Sequence, residues 1–195
     1  MNKRVILITG TPAVGKTTTA KKLTVTLPDA LYINLTNYAK AYRLTKGEDT
    51  DRKTIIINEK KMRKKLAETI NAATETNIII DGHYAAAVIP TDLVTHVFVL
   101  RRNPKELKLF MEKSGFEDPK LWENLSAEIL DVCLVEALQT QAGKVCELDA
   151  TGKTVEAVVN EIMAVLEKGK KCNVGCVDWL GMLEREGLTH QYLKE

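Results

Sequence analysis

The segment Gly10-Thr11-Pro12-Ala13-Val14-Gly15-Lys16-Thr17 directly follows the first apolar run of the chain, Val5-Ile6-Leu7-Ile8. That run is short, β-branched and bounded by a turn signal, the pattern of a buried strand. Beyond the loop, Ala20, Leu23 and Leu27 recur at helical spacing until Pro28 stops the helix. A G-x-x-x-x-G-K-T pattern between a strand and a helix has the context that turns a motif into a physical claim. Gly10 and Gly15 let the backbone curl so that its N–H groups point at phosphate oxygens, and the helix N-terminus adds partial positive charge. Lys16 is placed to reach the terminal phosphates and the Thr17 hydroxyl to ligate Mg²⁺, with Ala13 and Thr18 completing the cradle. A glycine-rich turn that binds nothing is the alternative. The strand, both glycines, the lysine and the threonine together argue against it, so the loop implies a bound nucleoside triphosphate.

A chain of 195 residues suits one domain with its own core. The net charge of +2 is too small to imply nucleic-acid binding by itself. No apolar stretch approaches the ~20 residues needed to span a bilayer, and the N-terminus lacks a signal-peptide pattern. We therefore expect a cytoplasmic protein with no membrane contact. Cys133 and Cys146 fall among apolar residues and read as buried hydrophobes. Cys172 and Cys176 form a C-x-x-x-C without a second ligand pair, so incidental thiols are expected rather than a metal site.

Further short apolar runs follow at Ala30–Ile33, Asn77–Asp81, Val94–Leu100 and Val145–Leu148, with helical patterns between them. One helix starts near Asn58 and presents Met62, Leu66 and Ile70. Another has Asn103 as cap, Pro104 at its first position and Glu106 placed for a capping box, and it ends at Gly115. A long one is predicted from about Pro119 to Thr140, and Thr154 caps a last one carrying Val155, Val158, Val159, Ile162 and Leu166. Strands alternating with helices predict an α/β domain with a five-stranded, mostly parallel sheet and helices on both faces. Two stretches fit poorly. Residues from about Leu35 to Asn58, centred on the charged run 46–53, and residues 113–123 read as irregular binding loops or lids, with a solvated linker as the plain alternative. The tail is expected to form a short helix from Asp178 to Gly187, buried through Trp179, Leu180 and Leu183.

Asp81 closes a strand, so its carboxylate emerges at the carboxyl end of the sheet, where α/β ligands sit. A hydrophobic strand ending in Asp suits the Mg²⁺ carboxylate of P-loop proteins, direct or through water. His83, two residues on, could orient or deprotonate an attacking water or hydroxyl; the plain alternative is a loop histidine. Arg101 and Arg102 follow the fourth strand at the same end of the sheet and are candidates to cover developing phosphate charge, Arg101 first. Lys40, Arg43 and Lys120 are weaker candidates from the two irregular stretches.

These residues resemble the adenylate kinase isoenzyme 6 family, small adenylate kinase-like NTPases of archaea and eukaryotes that assist small ribosomal subunit maturation. The likeness rests on the loop through Thr18, on Asp81-Gly82-His83-Tyr84, Val99-Leu100-Arg101, the run Glu123-Asn124-Leu125-Ser126-Ala127-Glu128-Ile129, and Val177-Asp178-Trp179-Leu180. It implies a P-loop nucleoside monophosphate kinase-type core that binds ATP and Mg²⁺. It further implies a monophosphate-binding segment at 33–57, a lid at 113–123 and a tail at 170–195. It implies conversion of ATP and AMP, or another nucleoside monophosphate, to ADP, together with ATP hydrolysis linked to His83. It also implies a small-subunit ribosomal protein as partner, and contact with pre-rRNA or the subunit precursor indirectly. The chain departs from the family at several places. Ala13 replaces a glycine, which predicts a backbone that avoids positive φ. Asn37 stands where Asp is usual, and Lys40 where Arg is frequent. Ser114 replaces the arginine expected at the start of the lid, and serine cannot clamp phosphate. Three readings follow: an adenylate kinase-type phosphotransferase with ATPase activity, a nucleotide-gated assembly ATPase with little kinase turnover, or another small-metabolite P-loop kinase.

Overall fold

The structure is a computed structural model that describes residues 3–49 and 54–194. Its main sheet is built from β1 (Arg4–Thr9), β2 (Ala30–Asn34), β5 (Asn77–Asp81), β6 (His96–Arg101) and β7 (Val145–Asp149) in the order β2-β5-β1-β6-β7. Every pairing in it is parallel. Strand alternation decides which helices each residue meets. Val5 and Leu7 of β1, with Ile78 and Ile80 of β5, pack toward α2 (Leu35–Ala41), α3 (Glu59–Ala72), α4 (Ala85–Val88) and α7 (Val132–Thr140). Ile6 and Ile8, with Ile79, Phe98 and Leu100, pack toward α1 (Lys16–Thr26), α5 (Pro104–Lys113), α6 (Lys120–Ile129) and α8 (Val155–Lys168). Both faces are covered, which is why β1, β5 and β6 read as nearly unbroken apolar runs.

The caps act largely as expected. The side chains of Asn58, Asn103 and Thr154 accept from Lys61 N, Lys105 N and Ala157 N and begin α3, α5 and α8. Glu106 does not close a capping box. Its carboxylate takes Arg102 Nη1 and the amide of Gly152 instead. The fourth strand begins at His96 rather than Val94, because the Thr95 hydroxyl bonds the backbone of Val5 just before the ladder starts.

Three expectations are corrected. Residues 35–58 are not irregular: they hold α2 and an antiparallel pair, β3 (Thr45–Asp49) with β4 (Thr54–Ile57). Residues 50–53 of the charged run lie outside the described residues. The long helix of 119–140 is two helices, α6 and α7, broken at Asp131, whose backbone is left-handed (φ 58°) and whose carboxylate meets Arg101. Cys146 and Cys172 are not separate thiols but a disulfide that ties β7 to the tail. The tail packs as anticipated. Asp178 accepts from Gly181 N at 2.7 Å and caps α9 (Trp179–Arg185), followed by α10 (Thr189–Tyr192), with Trp179 and Leu183 buried against Ile129. Among the described residues, no helix is long and apolar enough to cross a membrane.

Candidate active site

The two neighbours of β1, β5 and β6, lead into helices on different sides of the sheet, and the crevice between their carboxyl ends is where an open α/β sheet takes a ligand. Residues 10–15 fill its floor. Gly10 has φ 132°, and a Cβ there would sit 2.4 Å from the carbonyl oxygen of Leu100, so the loop passes too close to β6 for any side chain. Gly15, also left-handed at φ 105°, starts α1. Ala13 overturns its expectation: its φ is 68°. The loop's curl is imposed by both neighbouring segments, and the alanine is carried into a region that costs an L-residue about 1–2 kcal/mol.

Lys16 reaches back along the loop and donates to the carbonyl of Thr11 at 2.7 Å. Desolvation pushes its ammonium down to about 8, against the opposing pull of nearby acids that include Asp81 and Glu128. The Thr17 hydroxyl donates to Asp81 Oδ2 at 2.6 Å, while Tyr32 Oη and Asn34 Nδ2 each donate to Asp81 Oδ1 at 2.9 Å. Burial and then the bond to Asp81 raise the Tyr32 phenol, so it remains a donor. Asp81 is thus a fully oriented carboxylate beside a hydroxyl. Those hard oxygen donors suit Mg²⁺.

His83 keeps part of its surface open to solvent, and its ring meets Tyr84 edge-on at 4.8 Å. Desolvation within the cleft, then the ammonium groups of Lys16 and Lys120, push the imidazole down to about 4. It is neutral at pH 7. His83, Tyr84 and Lys120 line a cavity of about 430 Å³ together with Thr36, Ile56 and Glu136. The Tyr84 hydroxyl is buried there without a well-formed hydrogen bond among the described residues. Burial pushes it up to about 12, tempered by Thr36. Burial and then Glu59 also raise the Glu136 carboxyl.

On the β6 side a second cavity, about 450 Å³, lies against Ala13, Gly15 and Thr18 and is closed by Arg102, Phe110 and Thr154. Arg102 lies over the Phe110 ring at 4.8 Å and donates to the carbonyl of Val14 at 3.3 Å, so its guanidinium forms a flat cationic wall. Lys113 and Ser114 stand at the rim of this cavity, with the Ser114 hydroxyl bonded to the carbonyl of Phe110 at 2.7 Å.

Arg101 is brought to the same end of the sheet but not into the crevice. It is buried, bonding Glu128 Oε1 at 2.9 Å, Glu147 Oε1 at 2.7 Å and Asp131. Burial works against its charge, but Glu128 and then Asp131 more than offset this and hold it protonated. The structure thus places Arg101 away from the crevice, and Arg102 is the arginine that faces the cavity beside the loop. In α2, the cavity wall is made by Thr36 and Ala39, while Asn37 faces a groove shared with Tyr32 and Tyr38; Lys40 and Arg43 are exposed. Sequence reasoning missed Tyr32, Asn34 and Glu128. Only Glu128 left a signal: it falls on the apolar stripe Leu121, Leu125, Ile129 of α6, where a charge needs a buried partner.

A model described as "AAA domain" matches residues 6–131. A relative named "Putative adenylate kinase" from Methanocaldococcus jannaschii is 41% identical over 89% of this chain and 92% of its own. One of the same name from Pyrococcus furiosus is 39% identical over 92% of this chain and 93% of its own. Among solved structures, shikimate kinase from Bacteroides thetaiotaomicron superposes with a TM-score of 0.55 at 22% identity, over 84% of this chain and 98% of that one. Thymidylate kinase from Candida albicans gives 0.56 at 17% identity, over 87% and 93%. These likenesses carry the fold, which is the α/β fold of P-loop kinases of the nucleoside monophosphate type. Matched by that model through its P-loop half and by those relatives along most of its length, the chain belongs to the AAA-domain family of P-loop proteins, in the group that holds them.

Proposed function

We propose that the protein is an adenylate kinase-type phosphotransferase that converts ATP and AMP to two ADP and also hydrolyses ATP. One observation carries the reading. Two cavities of similar size are available, one of about 430 Å³ beyond the end of β5, lined by His83, Tyr84 and Lys120, and one of about 450 Å³ against the phosphate loop and Arg102 after β6. A donor nucleotide on the β6 side has Arg102 for its base and the loop for its phosphates. An acceptor on the β5 side meets Thr36, Tyr84 and Lys120, and its phosphate faces Lys16. Lys16 and the loop amides neutralise charge on the transferring group. Thr17 and Asp81 would hold Mg²⁺, which would supply neutralisation of phosphate charge there. Neutral His83 accepts a hydrogen bond from a water and orients it when no acceptor is present. A base whose conjugate acid has a pKa of about 4 is too weak to do more at neutral pH.

Residues 33–57 and 113–123 serve in this reading as acceptor segment and lid. The relatives' name and the kinase fold support a nucleotide kinase; the family resemblance adds ATPase activity and a role with a small-subunit ribosomal protein in pre-rRNA maturation. One observation favours slow transfer and a larger share for hydrolysis. Arg101 is committed to carboxylates and Ser114 to a carbonyl, so the arginine clamps expected over the phosphates are reduced to Arg102. ADP formation from ATP, measured with and without a panel of nucleoside monophosphates, tests the proposal. A rate that no acceptor increases would leave only the ATPase.

A further inference from the structure

Glu128 is nearly sealed from solvent, at 1% exposure, and yet collects four donors from three segments. Its Oε2 accepts the hydroxyl of Thr11, in the phosphate loop, at 2.5 Å. Its Oε1 accepts Arg101 Nε at 2.9 Å, the Arg102 amide at 3.0 Å and Trp179 Nε1 at 3.1 Å. Arg101 passes on to Glu147, whose other oxygen accepts the amide of Cys176 at 2.8 Å. One buried carboxylate therefore holds the loop, the end of β6 and the tail together. Phosphate binding alone gives no reason for it, since a negative charge behind the loop opposes a phosphate in front of it.

We propose that Glu128 is a positioning residue that couples nucleotide occupancy of the loop to the seating of α9, with Trp179 as the reporting contact. The proposal rests on the reading that the loop binds a nucleotide. Lys16 donates to the carbonyl of Thr11, and the hydroxyl of the same residue holds Glu128. A bound phosphate competes for the Lys16 ammonium, because a charged acceptor outbids a neutral carbonyl. Thr11 is then freed on one side, and the Glu128 oxygens redistribute among the remaining donors. Trp179 shares its acceptor atom with Arg101 and Arg102, so its indole N–H feels the change directly. Coupling is reciprocal: whatever shifts α9 alters nucleotide affinity by the same factor.

The test uses the full chain with Trp122→Phe, which leaves Trp179 as its one tryptophan. Its emission is followed during ADP titration with Mg²⁺, beside calorimetry on the same sample. The expected result is a saturable emission change with the calorimetric Kd. Thr11→Val, which keeps the buried shape, removes the emission change even at ADP concentrations that saturate its own calorimetric isotherm. Trp179→Phe, checked for an intact melt, weakens ADP about 5-fold and raises KM for ATP with kcat kept. Glu128→Gln should do both, but if it fails to fold, the other two variants decide. Normal ADP heat with a flat Trp179 signal, or a Thr11→Val protein with the signal intact, overturns the coupling. Absence of heat in the parent overturns the nucleotide reading itself.

Discussion

Thr17 and Asp81 are 64 residues apart in sequence and 2.6 Å apart in space, hydroxyl to carboxylate, across the carboxyl ends of β1 and β5. Tyr32 and Asn34, from the edge strand, fix the other oxygen of the same carboxylate. Asp81→Asn keeps the shape but replaces an acceptor-only group with one that must donate from one side. We expect a weaker Mg²⁺ dependence, about 100-fold lower turnover, and a stability loss of about 1–2 kcal/mol from a mismatched donor. A Mg²⁺ titration beside a thermal melt checks both, and an unchanged titration removes Asp81 from the metal site.

Lys16→Ala should abolish phosphoryl transfer and hydrolysis together while leaving the melt intact, since the side chain packs no core. In chelator, ADP affinity of the parent should be steady near pH 7 and fall as pH rises through about 8. There the ammonium loses its proton and its attraction for phosphate. Calorimetry across that range reads the midpoint; affinity that is flat to pH 9 would contradict it.

His83→Ala should depress hydrolysis without acceptor more than transfer to AMP, because an AMP phosphate is already ionised and needs no orienting base. Both rates are measured on one preparation. Equal losses would mean that His83 only shapes the loop.

Arg101→Leu should unfold the protein more than it slows it, by about 3–5 kcal/mol, because Glu128 and Glu147 would remain buried without their cation. Denaturant melts decide. A variant of parent stability with lost turnover would return Arg101 to the phosphates.

Ala13→Gly should raise stability by up to about 1 kcal/mol, since glycine adopts the observed φ of 68° without strain. A lower melting temperature would show that the unfolded-chain entropy outweighs the relief.

Sequence made the sheet legible where residues are buried on both faces. Asn77–Asp81 could hardly be anything else, and the loop after Thr9 declared itself by its motif, though not the positive φ of Ala13. It concealed α2, whose seven residues offer a single i, i+3, i+4 set in Leu35, Tyr38 and Ala39, and β3, which is short and polar. It concealed the break at Asp131, because Cys133, Leu134 and Ala137 continue an apolar pattern that local propensity cannot distinguish from one helix. The site divides in the same way. Lys16, Thr17 and Asp81 declare themselves by motif. The choice of Thr36 over Asn37 is a rotation of α2 about its axis, and the capture of Arg101 by Glu128 and Glu147 joins residues 27 and 46 positions away. Only tertiary packing determines either.

The Cys146–Cys172 bond closes a covalent ring of sequence separation 26 that contains the whole of α8. An unfolded chain cannot separate β7 from the start of the tail, and its lost loop freedom favours the native state by about 3 kcal/mol. Within the native state the effect is mechanical. The segment that carries Cys176 and leads into α9 is held to the edge strand covalently at Cys172 and by hydrogen bonds between Glu147 and both Asn173 and Cys176, so any departure of α9 starts beyond these anchors rather than peeling from Gly169.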